Sequence, residues 1–168
     1  VNDSLLGWYL YALGAPAGNK TIIPFLIPEW ITQSELCKSN YLRGIFDDEL
    51  ATIKIKRGKF AREATFRMAK VEKYPENLTN FLQQIKDLTE SLSVACGPIG
   101  QPYFENIHKN GEKTFSQCFR VLGNKENVIR FYKNIGFSLN EQKQVELEKC
   151  VQYLLKKENM RTPGLEPG

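Results

Sequence analysis

Two pairs of alternating segments, separated by one long amphipathic helix, dominate the apolar pattern of this chain. Apolar and polar residues alternate at 50–56 and again at 63–71, the period of half-buried strands. Pro75 opens a helix whose apolar residues recur at spacings of three and four, which predicts one buried stripe. A second strand pair, 103–109 and 114–122, flanks Asn110-Gly111, a strong signal for a tight hairpin turn.

Helices are predicted on both sides of this pattern. Ser39 is a predicted N-cap for a helix over 40–49, and Asn124 and Asn140 are predicted to cap two later helices. Gly136 ends the first of these, and the second reaches about residue 156. The order from Ser39 onward is α-β-β-α-β-β-α-α, which predicts an α+β fold with a four-stranded antiparallel sheet. Helices are expected on one face of that sheet, with the other face open.

The residues ahead of Ser39 form a separate region. The pattern at 5–13 predicts a helix that ends at Gly14, and three prolines within 15–28 indicate a connector. We therefore divide the chain into an N-terminal helix and connector (1–38), a main domain (39–157) and a tail (158–168) that is expected to be mobile.

Basic and acidic residues are segregated along the chain. Residues 54–73 carry eight Lys or Arg against two Glu, a net charge of +6, whereas the whole 168-residue chain has a net charge of +4. Residues 28–50 carry five carboxylates against Lys38 and Arg43. Cations can hold a polyanion and carboxylates can hold a metal ion, so this separation points to an enzyme that acts on phosphodiesters.

The cysteines indicate an intracellular, cytoplasmic protein. Cys37, Cys96, Cys118 and Cys150 are far apart, and with His108 as the lone histidine they form no local zinc motif. We interpret them as reduced thiols. No stretch has the roughly 18 uncharged apolar residues of a membrane span. The first residues also lack the basic leader of a signal peptide, so no membrane association is expected.

Residues 41–50, YLRGIFDDEL, resemble the LAGLIDADG motif of homing endonucleases in the form typical of archaeal members. The nine motif positions run from Leu42 to Leu50. Residues 118–137 resemble the family's final strand, turn and helix. Residues 13–20 and 27–31 resemble the linker that precedes the second motif in two-motif members. The likeness covers nearly the whole chain except the last dozen residues.

This resemblance implies a single-motif LAGLIDADG fold, αββαββα with a four-stranded saddle-shaped sheet. It also implies a site-specific endonuclease that hydrolyses double-stranded DNA with Mg²⁺ or Mn²⁺ as cofactor. The family's metal-binding carboxylate falls on Glu49, and Asp48 is expected to add its backbone carbonyl. Asp47 is expected to be structural. Leu50 stands where the family has Gly, and a leucine is expected to make the turn into the strand harder.

One motif per chain further implies a homodimer on a nearly palindromic target. The motif helices would pack about the two-fold axis through Leu42, Gly44, Ile45 and Asp48. The helix at 5–14 is then interpreted as the end of a missing first half. An intron-encoded origin fits this family.

The resemblance places the hairpins in the major groove and the cut across the minor groove. The candidates for DNA contact are Lys54, Lys56, Arg57, Lys59, Arg67, Gln117 and Arg120. Lys125 and Arg120 are the candidates for a catalytic cation near the scissile phosphate.

Two other interpretations remain open. The chain could be a LAGLIDADG protein without cleavage activity that binds intron RNA as a maturase or regulates DNA, and Leu50 favours this hypothesis. It could also be a degenerate C-terminal half that needs a lost N-terminal half.

Overall fold

The computed structural model describes residues 11–16, 18–56, 59–61, 63–107 and 111–159. A 3-10 helix spans Glu29–Gln33 in the connector. The helices are α1 (Glu35–Glu49), α2 (Pro75–Ser91), α3 (Lys125–Asn134) and α4 (Glu141–Asn159). The strands are β1 (Ile55–Lys56), β2 (Lys59–Ala61), β3 (Ala64–Val71), β4 (Tyr103–Ile107) and β5 (Lys113–Val121).

Helix α1 begins earlier than predicted. The Ser34 side chain caps it by accepting from the Cys37 N–H at 3.1 Å, while Ser39 lies inside the helix and donates to the Leu36 carbonyl. The predicted start at residue 40 is therefore wrong, because Ser34 already supplies the cap. The end at Glu49 is as predicted, and α1 crosses the proposed boundary at residue 39.

Strands β3, β5 and β4 form an antiparallel sheet in that order. Ala64 pairs with Val121 and Phe66 with Phe119, and all four are buried. The predicted inward side of β3 is confirmed. The predicted stripe of α2 is also confirmed, because each of its residues is buried: Leu78, Phe81, Leu82, Ile85, Leu88 and Leu92. Helix α2 packs on the sheet through this stripe, and burial of each such side chain contributes about 1.5–3 kcal/mol.

The first hairpin differs from the prediction. Among the described residues, β1 pairs with β2, and only Leu50 and Ala51 meet β3, through a bridge to Phe66 and a bond to the Thr65 carbonyl. The sheet that the structure describes therefore has three strands. The α+β class is as predicted, but the fourth strand of the predicted sheet is not formed there.

Helix α4 explains this departure from the predicted pairing. The Cys150 thiol donates to the Ile53 carbonyl at 3.6 Å, and Lys143 Nζ donates to the Leu50 carbonyl at 2.8 Å. Because the Ala51 N–H bonds β3, a continued strand would turn the Ile53 carbonyl toward β3, and this carbonyl accepts from α4 instead.

The later turns and caps are confirmed. Gly111 and Gly136 have positive φ angles of 84° and 70°, which a glycine adopts without strain. Asn124 and Asn140 accept from backbone N–H groups at the starts of α3 and α4. Helix α4 extends to Asn159, three residues beyond its predicted end. Most of the helix predicted at 5–13 and the tail after residue 159 lie outside the described residues.

The connector packs against the main domain. Ile27 and Ile31 are buried, and the ring of Phe25 meets that of Phe81 edge-on at 4.7 Å. Phe25, Ile27 and Ile31 thus pack in the same hydrophobic core as the sheet. Within the described part of the chain, no helix has the length and apolar character needed to cross a membrane.

Candidate active site

The three carboxylates at the end of α1 have different surroundings. Asp47 is 6% exposed, and its oxygens accept from the backbone N–H groups of Ser138, Leu139 and Asn140 at 2.8–3.3 Å. Burial raises the pKa of Asp47, but these donors outweigh burial and bring the pKa below its usual value. Asp48 is exposed and Glu49 half-exposed. The predicted structural role of Asp47 is thus confirmed, and the helix presents Asp48 and Glu49 to solvent.

Lys143 closes the C-terminal end of α1. Its Nζ donates to the carbonyls of Phe46 at 3.2 Å, Asp47 at 2.7 Å and Leu50 at 2.8 Å. The Phe46 carbonyl also accepts from the Leu50 N–H, whereas the Asp47 carbonyl is one of the acceptors that a helix end leaves to side chains. Burial lowers the pKa of Lys143, whereas Asp47, Asp48 and Glu49 raise it. The positive charge of Lys143 thereby offsets part of the negative charge of the helix end and of the acidic cluster.

Lys143 was missed by the sequence analysis, although one signal pointed to it. It lies in the first turn of α4, where the helix dipole disfavours a cation. A lysine at such a position is expected to have a partner elsewhere in the fold, but sequence alone does not identify that partner.

Leu50 does not disturb the turn that follows the helix. Its φ of −86° and ψ of 132° lie in the extended region, which any residue adopts. The side chain is 1% exposed and belongs to the core. The strain expected from a leucine at this position is absent, because the turn requires no positive φ.

The cation that contacts Glu49 is Lys20, from the connector. The two side chains form an ion pair, although 29 positions separate them in the sequence. The two predicted catalytic cations, Arg120 and Lys125, are not the residues that form this ion pair with Glu49. Arg120 is exposed on β5 and pairs with Glu63 at 3.1 Å, and Lys125 is the first residue of α3. Their catalytic roles stay predictions.

Six of the seven predicted DNA-contacting residues fall into three groups. Lys54, Arg67 and Arg120 are exposed, and the Arg67 guanidinium lies 5.7 Å from the centre of the Tyr103 ring. Lys56 and Lys59 belong to β1 and β2, and Arg57 lies outside the described residues.

Gln117 is a correction to this set. It is 4% exposed, accepts from the Thr79 hydroxyl at 3.0 Å and donates to the Gly100 carbonyl at 2.9 Å. Its side chain faces α2 rather than the open side of the sheet, and its amide group is already hydrogen-bonded inside the protein. Gln117 is therefore not placed to contact a DNA base. Lys70, counted in the basic stretch, is likewise 1% exposed and not part of the surface.

The predicted dimer contacts do not all lie on the same side of α1: one faces the core and the others are at least partly exposed. Leu42 is 0% exposed and packs in the core of its own chain, so its assignment to an interface is wrong. Gly44 and Asp48 are exposed and Ile45 is half-buried. Apart from its chain neighbours and the backbone of α1 itself, no described atom lies within 4 Å of the place of a Cβ at Gly44, so no packing contact in this copy requires a glycine there.

The donor set fits a hard divalent cation in type. Glu49 has a carboxylate at the surface, and Asp48 adds a second, although the Asp48 carbonyl lies 3.5 Å from Lys143 Nζ. Among the described residues no three His, Cys, Asp or Glu side chains are grouped as metal ligands. Mg²⁺ commonly uses one or two carboxylates together with substrate phosphates. Glu49 and Asp48 suit that mode of binding and do not suit an all-protein cage.

No family model and no solved structure matches the chain. Three curated proteins are similar over almost its whole length. The tRNA-splicing ligase RtcB of Methanopyrus kandleri is 28% identical over 150 residues, 89% of this chain but 14% of the ligase. The DNA-directed RNA polymerase subunit Rpo1N of Methanocaldococcus jannaschii is 30% identical over 89% of this chain and 11% of the subunit. The RtcB ligase of Pyrococcus furiosus is 28% identical over 90% of this chain and 15% of the ligase. The chain thus spans about an eighth of the length of these relatives.

Proposed function

We propose that the chain is a DNA-cleaving module of the LAGLIDADG type that hydrolyses both strands of a specific duplex as a symmetric dimer, with Mg²⁺ or Mn²⁺ as cofactor. The observation that carries the proposal is the geometry of the end of α1. Asp47 and Lys143 fix this helix end to α4, while Glu49 and Asp48 remain at the surface. A carboxylate held in this way is pre-organised for a cation beside a phosphodiester.

The comparisons support a module with a function of its own. The relatives are named for two different activities, an RNA ligase and an RNA polymerase subunit, yet each contains one segment similar to nearly all of this chain. A segment shared by such different proteins, and occupying about an eighth of each, is expected of an insertion. An insertion that cleaves DNA fits this distribution, because its activity does not depend on that of the host protein.

The surface of α1 supports the dimer. A glycine inside a helix costs about 0.5–1 kcal/mol relative to alanine, and Gly44 has open space where a side chain would lie. Close approach of a second copy of α1 at Gly44 would explain why a glycine, and not a larger residue, stands at this position. It would also bring a second Glu49 near the first, so that each copy serves one DNA strand.

The reaction is phosphodiester hydrolysis. The oxygen of a water molecule forms a bond to phosphorus, the bond to the 3′ oxygen breaks, and the proton lost by the water balances the one gained by the leaving oxygen. A bound divalent cation would lower the pKa of the water and stabilise the leaving oxygen. Glu49 would hold that cation, and Arg67 and Arg120, exposed on the sheet, would hold the flanking phosphates.

A partially randomised duplex library provides the test, because no target sequence has to be assumed. The protein is incubated with the library in Mg²⁺, and the cut ends are captured and sequenced. We expect one enriched, nearly palindromic site for the wild type and none for Glu49→Gln. Glu35→Gln, at the other end of α1, is the matched control and is expected to cut normally. Failure of the wild type to cut, or equal cutting by Glu49→Gln, contradicts the proposal.

A second candidate function is nucleic-acid binding without cleavage, as an intron RNA maturase or a DNA-binding regulator. The Lys20–Glu49 ion pair favours it, because Glu49 already has a cation as partner. Binding that survives EDTA and that falls steeply with salt, without nicking, would select this alternative.

A further inference from the structure

The ion pair between Lys20 and Glu49 joins the connector to the tip of α1. The Lys20 side chain is 49% exposed and that of Glu49 is 25% exposed. The contact therefore lies at the surface, where ions and DNA phosphates have access to it. In the structure the charge of Glu49 is balanced by a residue of the connector.

The backbone around Lys20 is held firmly, although it belongs to a connector. The Val71 N–H donates to the Thr21 carbonyl at 3.1 Å, and Asn77 bonds both the N–H and the carbonyl of Phe25 at 3.2 and 3.0 Å. These bonds attach the segment to the end of β3 and the start of α2. Lys20 is thus presented from a fixed backbone rather than from a free loop.

Lys70 completes this attachment from inside the protein. Its Nζ donates to the carbonyls of Lys20 and Ile23 and lies 4.0 Å from the centre of the Phe25 ring. Burying a lysine ammonium costs free energy unless it is hydrogen-bonded. Here the two carbonyls, before and after Thr21, accept from it and so compensate part of that cost. The arrangement positions the Lys20 side chain over Glu49.

The chemistry of the pair changes when a divalent cation binds. A carboxylate that binds Mg²⁺ no longer needs a lysine to balance its charge, and the released ammonium lies on a flexible stem beside the same site. A lysine ammonium is a compact point charge that suits a single phosphate.

We propose that Lys20 is a second functional group of this site: the counter-ion of Glu49 in the free protein, and the cation that contacts the scissile phosphodiester once Glu49 binds a divalent cation. Lys70 is the positioning residue for Lys20, acting through the backbone of the connector. This inference rests on the proposed function. It assigns the catalytic cation to the connector, whereas the candidates predicted from the sequence were Arg120 on β5 and Lys125 on α3.

Two measurements on the full chain test the role of Lys20. The first is the dissociation constant of Mn²⁺ without DNA, followed by electron paramagnetic resonance. Lys20→Met removes a competing cation, so we expect Mn²⁺ to bind about fivefold more tightly, the effect of a surface ion pair worth about 1 kcal/mol. The second is the single-turnover rate on the selected duplex, expected to fall about 100-fold or more. Lys133→Met, an exposed lysine on α3, is the matched control and is expected to change neither.

Lys70→Met tests positioning. Lys20 remains in this variant but its backbone is released, so we expect Mn²⁺ to bind more tightly than in the wild type, while the circular dichroism spectrum confirms the fold. A merely structural role would leave Mn²⁺ affinity unchanged, and an affinity within twofold of the wild type overturns the role of Lys70.

The outcomes separate the two proposals. If the wild type binds Mn²⁺ and cuts DNA but Lys20→Met matches it within twofold in both measurements, the assignment of Lys20 is overturned and the proposed function stands. If the wild type neither binds Mn²⁺ nor cuts, the proposed function is overturned and the role of Lys20 with it.

Discussion

The Nζ atom of Lys143 donates to the carbonyl oxygen of Asp47 at 2.7 Å, which joins the first turn of α4 to the last turn of α1. The Asp47 side chain also accepts, from the Leu139 N–H just ahead of α4. Asp47 thus accepts two kinds of hydrogen bond across the same junction, one at its carbonyl and one at its carboxylate. This junction sets the direction in which α1 delivers Glu49.

Replacing Lys143 with methionine is expected to destabilise the protein by about 2 kcal/mol. The substitution takes the Lys143 donor from the Leu50 carbonyl and removes the cation from the helix end. The Phe46 and Asp47 carbonyls lose one of two donors, because they also accept from the Leu50 N–H and the Asn140 amide. Urea unfolding followed by circular dichroism measures the change. Lys149→Met, an exposed lysine on the same helix paired with Glu146, is the control and is expected to stay within about 0.5 kcal/mol of the wild type. A Lys143→Met variant as stable as this control would contradict the prediction.

Asp47→Asn is expected to cost about 1.5–3 kcal/mol near neutral pH, because an amide presents an N–H group to backbone donors. The cost depends on pH. The folded pKa of Asp47 is below its unfolded value, so the carboxylate stabilises the fold above the unfolded pKa of about 4 and loses this effect as pH falls through the folded pKa.

The free energy of unfolding of both proteins, measured from pH 6 down to pH 2, tests this dependence. The gap between wild type and Asp47→Asn is expected to narrow with acidification. Asp87→Asn, an exposed carboxylate on α2 that accepts from Gln83, serves for comparison. A gap that stays constant over this range would show that Asp47 is not held as a carboxylate.

Lys70 predicts a pH effect in the alkaline range. Burial lowers the pKa of Lys70 to about 8, whereas the unfolded chain titrates near 10.4. Between these values the unfolded chain holds more protons, so the wild type gains stability relative to Lys70→Met as pH rises. The difference in free energy of unfolding is expected to grow by up to about 1.4 kcal/mol per pH unit between pH 8 and 10. The difference in free energy of unfolding between the wild type and Lys133→Met is expected not to change with pH. If the difference for Lys70→Met shrinks as pH rises, the pKa of Lys70 is not lowered in the folded protein.

Gly44 predicts the oligomeric state. Wild type is expected to sediment as a dimer, and Gly44→Leu as a monomer, because the added side chain separates the two copies of α1. Gly44→Ala is expected to stabilise the fold of each copy by about 0.5–1 kcal/mol, since a Cβ meets open space there. Gln142→Leu, which is exposed on α4, controls for added apolar surface. A dimer of unchanged strength in Gly44→Leu would place the interface elsewhere.

Arg67 and Gln117 are expected to differ in their effects on DNA binding. Arg67→Ala removes one exposed cation, so affinity for duplex DNA is expected to fall and the slope of log affinity against log salt to decrease by about 1. Gln117→Ala is expected to leave that slope unchanged but to lower stability by about 1–2 kcal/mol, since Thr79 and Gly100 lose a buried partner. Gel-shift titrations at several salt concentrations distinguish the two.

Part of the site could be predicted from the sequence because it depends on local pattern. The end of α1 at Glu49, the three adjacent carboxylates and the structural role of Asp47 all follow from a ten-residue segment. Gln117 was placed wrongly, although it lies two residues from Phe119 on the regular strand β5 and therefore on the same buried side. Its side-chain chemistry suggested a base contact, whereas strand alternation indicates the inward position. Leu42 was assigned to an interface by its motif position, while the core of its own chain covers it.

The chain's own pattern of apolar spacing, capping residues and turn residues determined the α+β class, the buried stripe of α2, the hairpin at Gly111 and the starts of α3 and α4. These features need only contacts within a few residues. Folding in three dimensions decided that Lys20 balances Glu49 and that Lys143 closes α1. It also decided that the Ile53 carbonyl accepts from α4. These contacts join residues that are 29 to 97 positions apart in the sequence. A local sequence pattern does not indicate which of these distant groups come into contact when the chain folds.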